Sequence, residues 1–105
     1  MAYVFKNGMR YLAEDTIKEG YHYHSDISVK VGTNVVRTLK LQILKRHRAG
    51  ELIPFKVSMQ KVHLVKLNGQ ILQHKIDYVI ENENSAVAFT FNLITNDKIE
   101  IEGIV

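Results

Sequence analysis

Apolar and polar positions alternate along much of this chain, most clearly in its last third. Over residues 85–93, Val87, Phe89, Phe91 and Leu93 fall on one side, with Ala86, Ala88, Thr90 and Asn92 on the other. Strand side chains point to opposite faces with a period of two, so this segment predicts a half-buried strand. Ile99 and Ile101 against Glu100 and Glu102 repeat the pattern over 97–102. Upstream, the apolar runs 62–67 and 70–72 flank Asn68-Gly69. A type I′ turn needs positive φ at both central residues, which Asn and Gly tolerate best, so a two-residue hairpin is predicted there. Residues 77–80 predict a further short strand.

The first half reads in the same terms. Asn7-Gly8 lies between apolar flanks and predicts a hairpin that puts Tyr3, Phe5 and Leu12 on one face. Residues 13–20 read either as one or two helical turns, with Gly20 at the left-handed C′ position, or as a loop. Residues 21–24 alternate, and 26–31 alternate better, with Ile27, Val29 and Val31 expected inward. Gly32-Thr33-Asn34 is a turn. Residues 35–48 admit two readings. A helix puts Val35, Leu39 and Ile43 on one face but scatters Leu41 and Leu44. A strand gathers Val35, Leu39, Leu41 and Ile43 on one face, broken by Arg37 alone, and is preferred. Residues 55–60 alternate as well, which makes 45–51 the tip of a long hairpin. The expected fold is therefore all-β, a small antiparallel sandwich or flattened barrel with at most one short helix, in a single domain over 1–105.

The last third also carries a family likeness. Leu67-Asn68-Gly69, Leu72, Asp77-Tyr78, Phe89 or Phe91, Asp97, Ile99 and Ile101 occur in an order that resembles a small β-module of bacteriophage virion proteins, especially tail-fibre and tail-associated chains. That module has Gly-x-Asp-Tyr where this chain has Lys75-Ile76-Asp77-Tyr78, and Gly-Asp where it has Asn96-Asp97. The Pro usual before the last turn is absent. The likeness covers about two fifths of the chain, and its motifs are mostly turn and core residues. It implies a β fold and a place in the virion, as a decoration, neck or tail-associated subunit. It also implies other virion proteins as partners, a homo-oligomeric state and no enzymatic role.

Composition narrows the field further. At 105 residues, with 46% hydrophobic and 24% charged, the chain suits one modest globular core. No apolar run reaches the length of a membrane span, so no membrane partner is expected, and residues 1–6 lack the features of a secretory signal. Cysteine is absent, which excludes disulfides, thiolate metal sites and a cysteine nucleophile. A net charge of +3 points only weakly to an acidic partner.

The candidates for chemistry are few. His22 and His24 share a side of a strand, as two ligands of one ion would, but two solvent-facing histidines fit equally simple rules, and neither a metal nor any other cofactor is expected. Glu14-Asp15, Glu81 with Glu83 and Glu100 with Glu102 are carboxylate pairs without the apolar wall that separates catalytic pKa values. The last pair reads as charges that keep a sheet soluble and discourage edge pairing. No serine sits in a nucleophile elbow, and no phosphate loop is present. The compact basic cluster Lys45, Arg46, His47 and Arg48 is the expected partner-binding site, at a projecting tip. With Lys30, Arg37 and Lys40 it forms a possible phosphate strip, yet no aromatic residue interleaves it and nucleic-acid binding is disfavoured. A carbohydrate- or receptor-binding module remains the alternative, if tyrosine or phenylalanine side chains line an exposed groove.

Overall fold

The computed structural model describes residues 20–55 and 57–105, together with the strand backbones of 3–6 and 9–12. Ten strands appear among them: β1 (Tyr3–Lys6), β2 (Met9–Leu12), β3 (Tyr21–Val31), β4 (Asn34–Ile43), β5 (Leu52–Pro54), β6 (Lys61–Leu67), β7 (Gln70–Ile71), β8 (Tyr78–Glu81), β9 (Ala86–Phe89) and β10 (Lys98–Ile104). The described residues contain no helix, and every strand pair is antiparallel. β1 and β2 form a hairpin with Tyr3 opposite Leu12 and Lys6 opposite Met9, as the Asn7-Gly8 pattern predicts. The helical turns considered over 13–19 lie outside the described residues.

Two larger sheets make the body of the fold, one in the order β3-β4-β10-β6-β7 and one in the order β5-β9-β8. They share one core. Leu39, Leu41 and Ile43 of β4, Val65 of β6, and Ile99 and Ile101 of β10 come from the first sheet. Ile53, Tyr78, Val87 and Phe89 come from the second, with Phe55, Met59 and Leu93 supplied by connecting segments. This is the small all-β sandwich that the alternation predicts.

The strand reading of 35–48 holds over Asn34–Ile43, and the lone break in its apolar face has a partner. Arg37 lies diagonally across the β3–β4 pair from Asp26. Its Nε donates to Asp26 Oδ1 at 2.7 Å, and one terminal nitrogen donates to Oδ2. A planar guanidinium meeting a carboxylate through two parallel bonds is a strong, orientation-specific pair. It lets two charged residues sit on the core side of the sheet.

The hairpin at Asn68-Gly69 is as predicted. Leu67 pairs with Gln70, and φ is +51° at Asn68 and +86° at Gly69. Asn68 also ties this turn to the next one. Its N–H donates to the Lys98 carbonyl, its Oδ1 accepts from the Lys98 N–H at 2.9 Å, and its Nδ2 donates to Asp97 at 3.0 Å. Asp97 in turn accepts from the Ile94 N–H. At Gly103 the ladder between β10 and β6 shifts register, and a side chain there would stand 2.3 Å from the Lys61 carbonyl oxygen. Only hydrogen fits that approach.

Five sequence expectations are corrected. First, the strand expected over 85–93 is regular only from Ala86 to Phe89, and it is buried on both faces rather than one. β9 is the central strand of its sheet, so Leu52 and Val79 on its neighbours flank Ala88 and screen its small methyl. Second, Ile27, Val29 and Val31 point outward, at 42%, 55% and 57% exposure. The β3–β4 register slips between Tyr23 and Ser25. An extra residue there reverses the parity, so Asp26 rather than Ile27 takes the core side.

Third, residues 45–51 are not a hairpin tip, because β4 pairs with β3 and β10 while β5 pairs with β9. The segment is a crossover between sheets. Fourth, 57–60 form no regular strand; they are clasped by the 82–85 turn, where the Met59 N–H donates to the Asn84 carbonyl and Asn84 Nδ2 to the Met59 carbonyl. Fifth, Glu100 and Glu102 stand on β10, an inner strand, so they guard no edge.

Candidate interaction surface

Three surface features remain once the core is assigned. The first is the basic crossover. Lys45, Arg46 and Arg48 are exposed, as a contact site requires, but His47 is not: only 2% of it reaches solvent. Its backbone bridges to Leu93 in both directions, and its Nδ1–H donates to the Lys45 carbonyl at 2.8 Å. Nε2 lies 3.5 Å from a Glu51 carboxylate oxygen. The segment is pinned elsewhere too, through Leu44 and Lys45 to the Gly20 carbonyl, Ala49 to Asn92 and Gly50 to Phe89. His47 is therefore a clamp holding the crossover to the body, and the three basic side chains sit on a fixed support, not on a projecting loop.

The wider phosphate strip does not assemble. Arg37 is bound to Asp26 on the core side of β4, while Lys40, three residues on, faces the other way and lies 3.8 Å from Glu100. Lys66 reaches the same carboxylate from β6 at 3.8 Å. Lys40, Lys66 and Glu100 belong to the second feature, an open hollow of about 760 Å³ on the outer face of the larger sheet. Its charged and polar lining includes His24, Lys40, Lys66, Lys98, Asn68 and Glu100. Three lysines and one glutamate in the lining leave the hollow positive. Cross-strand pairing of Lys40 and Lys66 with Glu100 accounts for the arrangement as a stabilising ladder across β4, β10 and β6.

His22 and His24 do come together, with ring centroids 5.5 Å apart. His24 Nε2 lies 3.1 Å from Gln42 Oε1. Burial lowers the pKa of His22 below its ordinary value, and the charge of His24 lowers it further. Among the described residues no group of three or more metal-binding side chains is placed around a common point. The described tyrosines and phenylalanines are all buried or half-buried, and Tyr78 lines an open hollow of about 430 Å³ beside His63 and His74. The phenol of Tyr78 has its pKa raised by burial.

The third feature is the one sequence reasoning assigned to the core. β3 is the terminal strand of the five-stranded sheet, and no described strand pairs with its outer edge. Over its second half Ile27, Val29 and Val31 form a row of exposed apolar side chains at every other position. Val36 and Ile104, half-buried, continue the row inward across β4 and β10, since Val29 stands opposite Val36 and Val36 opposite Ile104. The signal for this surface was present in the sequence as a clean alternation. Its direction was set by the register slip at His24, which alternation does not encode.

No protein-family model matches the chain, and no match was found among curated proteins or solved structures.

Proposed function

We propose that the chain is a non-enzymatic structural component of a bacteriophage virion, a decoration, neck or tail-associated subunit that works through contacts with other virion proteins. The observation that carries the reading is the apolar edge of β3, which no described strand pairs. A soluble protein blunts such an edge with charge, proline or cover unless something pairs with it. Ile27, Val29 and Val31 at every other position leave an apolar row on this terminal strand, beside Lys30 and the register slip at His24.

The phage assignment rests on the pattern of the last third. Its residues do the turn and core work that such a module requires. Leu67-Asn68-Gly69 makes the tight hairpin, and Asn68 and Asp97 lock adjoining turns. Asp77 accepts from the Gln73 N–H, while Tyr78, Phe89, Ile99 and Ile101 are core. At the two places where the module has glycine and this chain does not, the backbone keeps the conformation glycine favours: φ is +71° at Lys75 and +77° at Asn96. Such a φ is uncommon for lysine, while asparagine takes it more readily.

Mass spectrometry of purified particles tests the assignment: the chain is expected as a stoichiometric component, and its absence would remove the virion reading. Replacing Lys45, Arg46 and Arg48 with Ser is expected to lower incorporation without unfolding the domain. A basic patch on a rigid crossover speeds and orients encounter with an acidic neighbour. Normal incorporation of the triple variant would remove the crossover as a docking site.

A further inference from the structure

We infer that the outer edge of β3 is a homodimer interface, in which two copies pair their β3 strands antiparallel about a two-fold axis at Val29. This deepens the structural-subunit reading by naming the contact and its register. The inference starts from the strand itself. β3 is 11 residues long and is the last described strand of its sheet, so one row of its backbone N–H and C=O groups faces away from β4, where a second strand can bind them. A strand of the same chain is a ready partner, because a two-fold contact needs a surface complementary to itself.

Self-complementarity then selects the register. With the axis at Val29, Val29 meets Val29 of the second copy, Ile27 meets Val31, and Val31 meets Ile27. All three exposed apolar side chains then lie opposite apolar partners on one face. On the other face Ser28 meets Lys30, so no like charges stand directly opposite. An axis at Asp26 sets two carboxylates against each other. An axis at Ile27 sets Val29 against Ser25 and Val31 against Tyr23, across the register slip.

The face supports the edge. Pairing covers the edge itself, and the Val36 and Ile104 row, one and two strands inward on the same outer face, continues the apolar strip beside it. The result is a continuous ten-stranded sheet across two copies, with an unbroken apolar strip along its outer face.

The chain contains no cysteine, which allows a clean test. Single variants Ile27→Cys, Val29→Cys and Val31→Cys are purified and oxidised with copper–phenanthroline. Opposed residues in an antiparallel pair have Cα atoms about 4.5–5.5 Å apart, within disulfide reach. Two copies of residue 27, or of residue 31, stand about 13 Å apart along the pair, beyond reach. The expected result is a covalent dimer for V29C alone, none for I27C or V31C alone, and a mixed dimer when I27C and V31C are combined.

Sedimentation velocity of the untreated wild type is expected to show a concentration-dependent dimer, weakened at least tenfold by Val29→Lys. A monomer at every concentration would overturn the inference, as would self-crosslinking at residue 27. Self-crosslinking of Ser28→Cys in preference to V29C would overturn the register. All of these measurements use the isolated chain, so their failure leaves the virion assignment to be decided by the particle composition.

Discussion

β9 and the second half of β3 carry similar alternating sequences and meet opposite fates. In β9, Ala86, Val87, Ala88 and Phe89 are all buried. In β3, Ile27, Val29 and Val31 are all exposed. Two differences separate them. β9 has a hydrogen-bonded neighbour on each side, whereas among the described strands β3 has β4 alone. Val87 and Phe89 of β9 also share one core cluster with Leu39, Leu41 and Ile43 of β4, whereas residues 27–31 pair with the less buried end of β4, residues 34–38. Alternation says that a strand has two unlike faces. It does not say which face meets the core, nor whether a second layer lies above it.

The comparison predicts a large asymmetry in stability. Phe89→Ala is expected to cost about 3–5 kcal/mol, enough to unfold a marginal domain. Val29→Ala is expected to change monomer stability by no more than about 0.5 kcal/mol, because its side chain already meets water. Urea denaturation at low protein concentration measures both. Comparable losses would erase the distinction between the two regions.

The next largest effect concerns what stands on the core side of β3 in place of Ile27. Asp26→Ala is expected to cost about 3 kcal/mol, since it leaves the Arg37 guanidinium without its carboxylate in a partly buried position. The double variant Asp26→Ala with Arg37→Ala is expected to lose less than the sum of the single losses. Additive losses would mean that the pair does not hold the two strands in register.

Turn chemistry gives a smaller effect. Gly69→Val forces a β-branched residue to a φ of +86°, at a cost of roughly 1–2 kcal/mol. Thermal unfolding of that variant at wild-type temperature would contradict the hairpin.

The smallest effect is a pH dependence. Burial and His24 lower the His22 pKa in the folded state, so the unfolded chain binds the proton more tightly. The stability contributed by neutral His22 is present above its ordinary value of about 6.5 and is lost as pH falls through that value towards the lower folded pKa. The melting temperature is expected to drop between pH 7.5 and pH 5 in the wild type, and to drop less in His22→Gln.

The parts of this fold that were legible in the sequence are those decided locally. Asn68-Gly69 specifies its own turn, and Leu39, Leu41 and Ile43 specify a strand with one buried face. The parts that were not legible depend on distant partners. Arg37 looked like a break in the apolar face because its answer, Asp26, lies on another strand. The crossover 45–51 looked like a hairpin tip because nothing in its residues says that β5 pairs with β9 and not with β4. His47 looked like one of four contact residues, yet its burial follows from a bridge to Leu93, 46 positions away. Of the expected partner site, Lys45, Arg46 and Arg48 stay at the surface. The β3 edge went unread because a single slipped residue inverted its faces.

Hydrogen exchange followed by mass spectrometry, at protein concentrations spanning the dimer transition, tests most directly whether the β3 edge is a contact surface and β9 is core. Amides of residues 26–31 are expected to exchange quickly in dilute protein and to gain protection as concentration rises. Those of residues 86–89 are expected to stay protected throughout. Protection of 26–31 that is the same at every concentration, whether high or low, would contradict the account.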